Sequence, residues 1–334
     1  MEIAIEIQIV DVLKIKADVL VLKYAQEFYG VDSAAFSKLG VLHKKVESKL
    51  PRPNDFLLLE SLGSLGAEYV LFAGVLDVLQ FRYREIRDFS FRSLKYLSKI
   101  RPDAEHVCLT LHGASYGLDE TEAFEAEIAG LVDAITQGLY PNRLKKISIA
   151  ELYEPRATRL RAALENLLPD GIITISEEKF LARRSTDTDE LLSNAGINSE
   201  EKPLIFVAMP FDNKLDDVFH YGIQNAVNRA GFLCERADQI SFTGDILDLI
   251  KRRIKKASLL IADLTTTNPN VYLEVGYAWG LGKPTVLIAQ DVQDLKFDVK
   301  GQKCIIYSGI RELEEKLSQE LLGLKQNKRH GKSP

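Results

Sequence analysis

The chain has 334 residues, 46% of them hydrophobic and 27% charged, with a formal net charge of -5 at pH 7. This composition is that of a globular protein, the length favours two domains over one, and the acidic balance excludes an overall nucleic-acid-binding signature. Acids and lysines interrupt the apolar residues of positions 1–22, which excludes a signal peptide or membrane span there and predicts a cytosolic protein.

The three cysteines, Cys108, Cys234 and Cys304, lie in separate apolar runs, without a CxxC pair or a nearby pair of histidines. This spacing favours buried free thiols over disulfides or a zinc site. We therefore expect neither a metal nor a cofactor.

Strand-like and helical runs alternate in the first half of the chain. Apolar runs predict strands in IEIQIVDVL, ADVLVLKYA, AEYVLFAGV and AEHVCLTLHG. Apolar residues at helical spacing predict helices in YREIRDFSFRSLKYLSKI and in DETEAFEAEIAGLVDAITQGL, the second opened by Asp119 as its N-cap. A strand, LKKISIAEL, and a helix, PRATRLRAALENLL, complete an α/β domain predicted over residues 1–164.

A polar stretch without a strand pattern predicts a linker over residues 165–201. The alternation then restarts over residues 202–325, where apolar strands in PLIFVAMPF, FLCERAD, SLLIADL, PTVLIAQD and KCIIYS are separated by helical runs. One of these helices is opened by Thr243 and closed by basic residues. Strands without polar alternation indicate a parallel sheet covered by helices on both faces. The basic end, residues 326–334, is predicted to be a disordered tail.

Polar residues follow three strands of this second half, in AMPFD, RADQISFTGD and ADLTTTNPN. Ligands of open parallel sheets bind at the carboxyl ends of the strands, so these segments predict a site. In the last segment Asp263 ends its strand, Asn268 caps the next helix and Pro269 occupies its first turn. Asp263 is interpreted either as a functional carboxylate or as a cap of the following turn.

Glu274 is a single carboxylate in the nearly uncharged helix over 270–281. Asn270, Glu274 and Tyr277 form one polar stripe, and the other faces carry apolar or small residues. Because helices that are apolar nearly all round are normally buried, we expect this stripe to face a cleft or a partner subunit rather than open water.

The segments FVAMPF and ADLTTTNPNVYLEVGYAWGLGKPTVLI resemble the nucleoside 2-deoxyribosyltransferase-like superfamily, which is related to TIR domains, over residues 203–310. The resemblance implies a flavodoxin-like domain in which Glu274 is the nucleophile, assisted by Asp263, Asp245 or Asp248. The loop after the first strand lacks the polar residues and tyrosine of the transferases that act on free deoxyribonucleosides. The expected substrate-binding residues are Met209, Pro210, Phe211, Asp248, Thr265, Thr266, Asn268, Asn270 and Tyr277.

The segments DVLKIKADVLVLKYAQEFYGVDSAAF and LTLHGASYGLDETEAFEAEIAGLVDAI resemble macro domains and the N-terminal domain of leucine aminopeptidases, over residues 1–150. The resemblance implies that Asp11 contacts an adenine. It also implies that a glycine-bearing loop cradles ribose and phosphates, and the loop consists of Gly113, Ala114, Ser115, Tyr116 and Gly117. Where hydrolytic macro domains carry Asn-Ala-Asn, this chain has Lys23 to Gln26, so hydrolysis by this half is not expected. The alternative is a scaffold or oligomerisation domain.

Together these observations predict cleavage or exchange of an N-glycosidic bond in a nucleoside, nucleotide or NAD through a carboxylate nucleophile. The macro-like half is expected to bind a nucleotide-like ligand and to regulate the other half, as in bacterial nucleotide signalling or antiviral defence. Two alternatives stay open: a catalytically inactive nucleotide-binding sensor, and an assembly module that is active only as a homo-oligomer. No membrane partner is expected.

Overall fold

The computed structural model describes residues 2–40, 49–78, 80–114, 117–174, 186–210, 212–236 and 246–329. The chain forms two compact units. The first consists of Met1–Ser115 and Glu120–Glu200, and the second of Tyr116–Asp119 and Glu201–Pro334.

The sheet of the first unit has seven strands in the order β3-β4-β2-β5-β6-β1-β7. They are β1 (Glu2–Ile9), β2 (Val19–Tyr24), β3 (Phe56–Glu60), β4 (Tyr69–Gly74), β5 (His106–Thr110), β6 (Lys146–Glu151) and β7 (Ile172–Thr174). The five inner strands are parallel, and the edge strands β3 and β7 pair antiparallel with β4 and β1. The parallel interior of the sheet is therefore bounded at both edges by short antiparallel strands.

The helices of the first unit are α1 (Gly30–Gly40), α2 (Tyr83–Ile100), α3 (Glu120–Thr136), α4 (Glu154–Leu167) and α5 (Thr186–Asn194). After β2 the chain passes through α1 towards β3 and β4, whereas after β5 it passes through α3 to β6 on the other side. The neighbouring strands β2 and β5 thus mark the point at which the connections diverge. In open α/β sheets this is where a ligand crevice forms, at the carboxyl ends of the strands.

The sheet of the second unit has five strands, all parallel, in the order β12-β11-β10-β8-β9. They are β8 (Leu204–Ala208), β9 (Leu233–Arg236), β10 (Leu259–Asp263), β11 (Thr285–Ala289) and β12 (Cys304–Ile306). Every residue of β8, β9 and β10 is buried, and because successive side chains point to opposite faces, both faces of the sheet are covered. The predicted flavodoxin-like parallel sheet is confirmed, since the order corresponds to 2-1-3-4-5.

Helices of the second unit are α6 (Asn225–Arg229), α7 (Ile246–Lys256), α8 (Pro269–Gly280) and α9 (Ile310–Arg329), and a π-helical segment, Val218–Gln224, precedes α6. Helix α8 packs on β8, β10 and β11 and contacts α7, while α9 packs on β12, α6 and the π-helical segment. The core beneath α9 includes Ile223, Leu313 and Leu317, all without exposed surface. The sheet thereby holds α8, with Glu274, against its central strands.

Two expectations change with the structure. Helix α9 continues through Arg329, past the predicted start of the tail at 326, because its last residues are good helix formers. The predicted linker over 165–201 contains β7, which pairs with β1, and α5. Helix α1 and strand β3 were not predicted from the sequence. The predicted cap Thr243 lies outside the described residues.

The prediction of buried thiols holds for two of the three cysteines. Cys108 and Cys234 are buried, and Cys304 is half-buried. Burial raises the pKa of the Cys108 thiol to about 12, so this cysteine stays protonated near neutral pH.

Candidate functional site

In the second unit, β8 and β10 are neighbours, although β9 lies between them in sequence. The paired residues Ala208 and Ala262 bring the ends of the two strands to the same level, so Met209 and Asp263 follow at one edge of the sheet. The connections after β8 and β10 lead away in opposite directions, which makes this edge the expected ligand crevice.

Asp263 is fully buried at this edge and has hydrogen bonds to both carboxylate oxygens. Oδ1 accepts the Thr265 amide at 2.9 Å, and Oδ2 accepts the Tyr307 hydroxyl, also at 2.9 Å. Burial raises the pKa of Asp263 above its usual range, and the bonds from Thr265 and Tyr307 oppose that shift. Thr265 Oγ1 in turn accepts the Gln290 amide at 3.2 Å. Asp263 therefore ties together the loops after β10, β11 and β12, and its carboxylate has no surface that a substrate can reach.

Glu274 lies in the second turn of α8 and is half-buried. Its carboxylate has no hydrogen-bond or ion-pair partner among the described residues. Burial raises the pKa of Glu274 from the usual 4.5 to about 7, with desolvation as the cause. An unpartnered carboxyl that titrates near neutral pH is typical of catalytic acids, bases and nucleophiles.

The turn that leads into α8 is held as the sequence predicts. Asn268 Oδ1 accepts the Asn270 amide at 2.9 Å, and Pro269 occupies the first position of the helix. Thr266 and Thr267 have positive φ angles of 66° and 54°, a conformation that is rare for β-branched residues. Such backbone conformations concentrate at functional sites, where the surrounding structure enforces them.

The other predicted site residues of the second unit differ in their exposure to solvent. Met209 and Pro210 are buried, Tyr277 is half-buried, and Asn270 is exposed on α8. Asp248 is exposed on α7. Phe211 and Asp245 lie outside the described residues.

The expectation that α8 is buried around its other faces is wrong. Only one side, with Val271, Val275 and Ala278, is buried. Leu273 is 59% exposed, and the glycines 276 and 280 of the same face are exposed. The helix packs on one sheet layer, and nothing among the described residues of its unit covers the opposite side.

Arg236 and Tyr307 also lie at the carboxyl edge and were not predicted as site residues. The Arg236 guanidinium stacks at 4.0 Å on the Phe219 ring, donates to Met209 Sδ at 3.3 Å and contacts Asp216 at 3.4 Å. Both residues stand at the carboxyl end of a predicted strand, so the rule that selected Asp263 would have found them.

In the first unit, the glycine-bearing loop follows β5 at the point where the connections diverge. Gly113 and Gly117 have φ angles of +89° and +84°, which glycine adopts without strain, and Ala114 is buried. Gly117 is part of the second unit, and Ser115 and Tyr116 lie outside the described residues. Asp11, after β1, accepts the Leu13 amide at 3.0 Å and lies 3.6 Å from Lys14 Nζ. Its carboxylate is thus engaged with its own turn.

Four ionisable side chains of this unit were not predicted as a group: Lys23, Asp32, His112 and Glu127. Lys23 Nζ donates to Asp32 Oδ2 at 2.7 Å, and the His112 amide donates to Glu127 Oε2 at 3.1 Å. All four are buried. Lys23, the first residue of the Lys23-to-Gln26 segment, is thus paired with a buried carboxylate.

No group of three or more His, Cys, Asp or Glu side chains among the described residues is placed to hold a metal ion. None of their helices has the length and apolar composition that crossing a membrane requires.

No protein-family model and no curated protein matches the sequence. The N-terminal half is similar to solved macrodomains. The Oceanobacillus iheyensis macrodomain with ADP is 15% identical, with a TM-score of 0.37, over 49% of this chain and 90% of that chain. The Trypanosoma brucei macrodomain in complex with ADP is 15% identical, with a TM-score of 0.38, over 48% and 68%. The macro domain of ganglioside induced differentiation associated protein 2 is 14% identical, with a TM-score of 0.39, over 50% and 85%. Similarity this distant says nothing of which ligand this chain binds.

Proposed function

We propose that the second unit cleaves or exchanges the N-glycosidic bond of a nucleoside, nucleotide or NAD, with Glu274 as the nucleophile. The proposal rests on the burial, the unpartnered carboxylate and the raised pKa of Glu274. Glu274 is half-buried in the second turn of the helix that follows the carboxyl end of β10, it has no partner among the described residues, and burial raises its pKa to about 7.

The chemistry suits a carboxylate. Cleavage of an N-glycosidic bond develops positive charge on the sugar, which a nearby carboxylate stabilises or captures. In the proposed step a Glu274 oxygen bonds to the anomeric carbon while the carbon–nitrogen bond breaks. The base leaves with the bonding electrons and takes up a proton. Water or a second base then displaces Glu274 from the anomeric carbon, which completes hydrolysis or exchange.

The other acids have different proposed roles. Asp263 is a positioning residue, because its bonds to Thr265 and Tyr307 order the loops around the crevice. Asp245 and Asp248 are the candidates that protonate the leaving base. The backbone of the strained Thr266–Thr267 turn and the Asn270 side chain are proposed to contact the sugar or its phosphate.

For the first unit we propose binding of a nucleotide-like ligand at the loop after β5, which regulates the second unit. The positive φ angle of Gly113 favours a loop whose amides turn towards a ligand. Bacterial nucleotide signalling or antiviral defence is the setting we propose, and it rests on the sequence resemblance.

One observation favours a second candidate, a sensor that binds a nucleotide without cleaving it. Asp263 is buried and bonded at both oxygens, so the predicted assisting acid does not face the crevice. A site in which Glu274 is the carboxyl at the crevice and Asp263 is withdrawn from it can bind a sugar without activating its base.

Release of free base from a panel of nucleosides, nucleotides and NAD, followed by chromatography, separates the two functions. The nucleotide-cleaving function predicts release by the wild-type protein and a loss of about a hundredfold or more in Glu274→Gln. Glu315→Gln, an exposed Glu-to-Gln change on α9, is the matched control and should release base at the wild-type rate. Unchanged release in Glu274→Gln, or no release with ADP supplied for the first unit, contradicts the enzymatic function. Light scattering on the same samples tests whether release depends on a homo-oligomer.

A further inference from the structure

The first unit contains a cluster of four buried ionisable residues at the carboxyl ends of β2 and β5. Lys23 lies near the end of β2, Asp32 in the first turn of α1, His112 just after β5 and Glu127 within α3. Each is at most 5% exposed. The cluster therefore connects the elements that flank the crevice of this unit.

Three atoms of the cluster are buried without a hydrogen-bond partner: Asp32 Oδ1, His112 Nε2 and Glu127 Oε1. The second carboxylate oxygens of Asp32 and Glu127 are engaged, with Asp32 Oδ2 bound by Lys23 and Glu127 Oε2 bound by the His112 amide. An unsatisfied buried polar atom is costly, and native interiors pair such atoms with protein groups or with enclosed water. Because three such atoms belong to one cluster, we expect a small molecule to be bound there as their hydrogen-bond partner.

Among small molecules, water best matches the hydrogen-bond donors and acceptors of these three side chains. Burial raises the pKa of Glu127 to about 8, so its carboxyl is protonated at neutral pH and offers an O–H, while Asp32 offers an acceptor. Burial lowers the pKa of His112 well below its usual value, so the neutral imidazole offers either a donor or an acceptor. A mixed set of donors and acceptors matches water, which makes about three bonds in protein interiors. The Asp32 carboxylate disfavours an anion, and the described side chains are not placed to hold a metal ion.

We propose that the cluster of Lys23, Asp32, His112 and Glu127 encloses ordered water, and that this hydrated cluster fixes the loop that begins at His112. The Glu127 carboxyl holds the amide of the residue directly before Gly113, while the Lys23–Asp32 pair holds the start of α1 to the end of β2. The water links these two halves of the cluster. Its role in ligand binding rests on the function proposed for the first unit, whereas the presence of water does not.

A high-resolution crystal structure of the full chain tests whether the cluster encloses ordered water. Ordered water is expected within about 2.6–3.2 Å of at least two of the three atoms. A cluster in which these atoms bond one another, or in which the space beside them is empty, overturns the proposal. Glu127→Gln provides a second crystal in which the water should persist, because the amide keeps an oxygen and gains a donor.

Amide hydrogen exchange tests in solution whether the cluster fixes the loop that begins at His112. Glu127→Leu removes the acceptor of the His112 amide and a partner of the water, so exchange at His112 and Gly113 should accelerate by about tenfold or more. Glu127→Gln should stay near the wild-type rate, and so should Glu165→Gln, an exposed change on α4. Unchanged exchange in Glu127→Leu contradicts the proposed role of the cluster. If Glu127→Leu does not fold, the two crystal structures decide. ADP binding is measured on the same samples. Absence of ADP binding contradicts the nucleotide-binding function proposed for the first unit. The hydrated cluster is tested separately, by the electron density for water and by the exchange rates.

Discussion

At the scale of single residues, the protonation of Glu274 decides which chemistry the second unit can perform. Its environment disfavours the charged form, and the described residues supply neither a cation nor a hydrogen-bond donor to counter that effect. A carboxyl with a pKa of about 7 is divided about equally between its two forms at neutral pH. It can therefore serve as a nucleophile in one form and as an acid in the other.

The pH dependence of base release distinguishes these roles. A nucleophilic Glu274 must be ionised, so kcat/KM should rise with pH and reach half its plateau near pH 7. An acidic Glu274 must be protonated, which predicts a fall through the same pH. Rates measured from pH 5 to 9 check the sign, and a rate that falls as the pH rises through 7 contradicts the nucleophile.

Glu127 predicts a pH-dependent stability for the first unit. Its folded pKa is about 8 and its usual value is 4.5, so the folded chain keeps a proton that the unfolded chain loses. The stabilisation is complete below pH 4.5 and is lost as the pH rises through 8, with a slope on the order of 1 kcal/mol per pH unit at most. Lys23, Asp32 and His112 face the same cluster, and Asp32, whose pKa burial raises, and His112, whose pKa burial lowers, contribute their own titrations. Denaturant unfolding followed by far-UV circular dichroism should show a shallower decline in Glu127→Gln, and an equal decline contradicts the assignment.

At the level of secondary-structure elements, α8 is composed mostly of apolar and small residues, yet only one of its sides is buried. Pro269, Leu273, Gly276 and Gly280 recur at helical spacing on one exposed stripe, opposite the side that packs on the sheet. The prediction of a buried helix was wrong because a helix composed of apolar and small residues still needs layers on both sides. The caps Asn268 and Pro269 were predicted, since they depend on neighbours in sequence alone.

The exposed glycines of α8 predict a stabilising substitution. A Cβ at Gly276 meets no atom within 4 Å, so Gly276→Ala should raise the free energy of unfolding by about 0.5–1 kcal/mol through lower backbone entropy of the unfolded chain. At Gly222 an added Cβ lies 2.9 Å from Leu313 Cδ2, so Gly222→Ala should destabilise the same unit. The single tryptophan, Trp279, reports unfolding of this unit by fluorescence. Destabilisation by Gly276→Ala would indicate that the stripe is covered in solution.

At the scale of the whole molecule, each unit carries its candidate site at the carboxyl edge of its own sheet. In the first unit the edge lies at β2 and β5, and in the second at β8 and β10. These strands are neighbours in space and are separated in sequence by other elements. Asp263, Thr265 and Tyr307 form one network for the same reason, because β10, β11 and β12 are adjacent and parallel.

Most strands and helices, the parallel character of the second sheet and the capped turn before Glu274 were predictable from the amino-acid sequence. These features follow from local periodicity, capping and uninterrupted apolar runs, which neighbouring residues encode. Three features required the folded structure: the burial of Asp263 against Tyr307, the exposed face of α8, and the buried cluster of Lys23, Asp32, His112 and Glu127. Those outcomes depend on strand order and on contacts between residues up to about a hundred positions apart, and no local pattern records them.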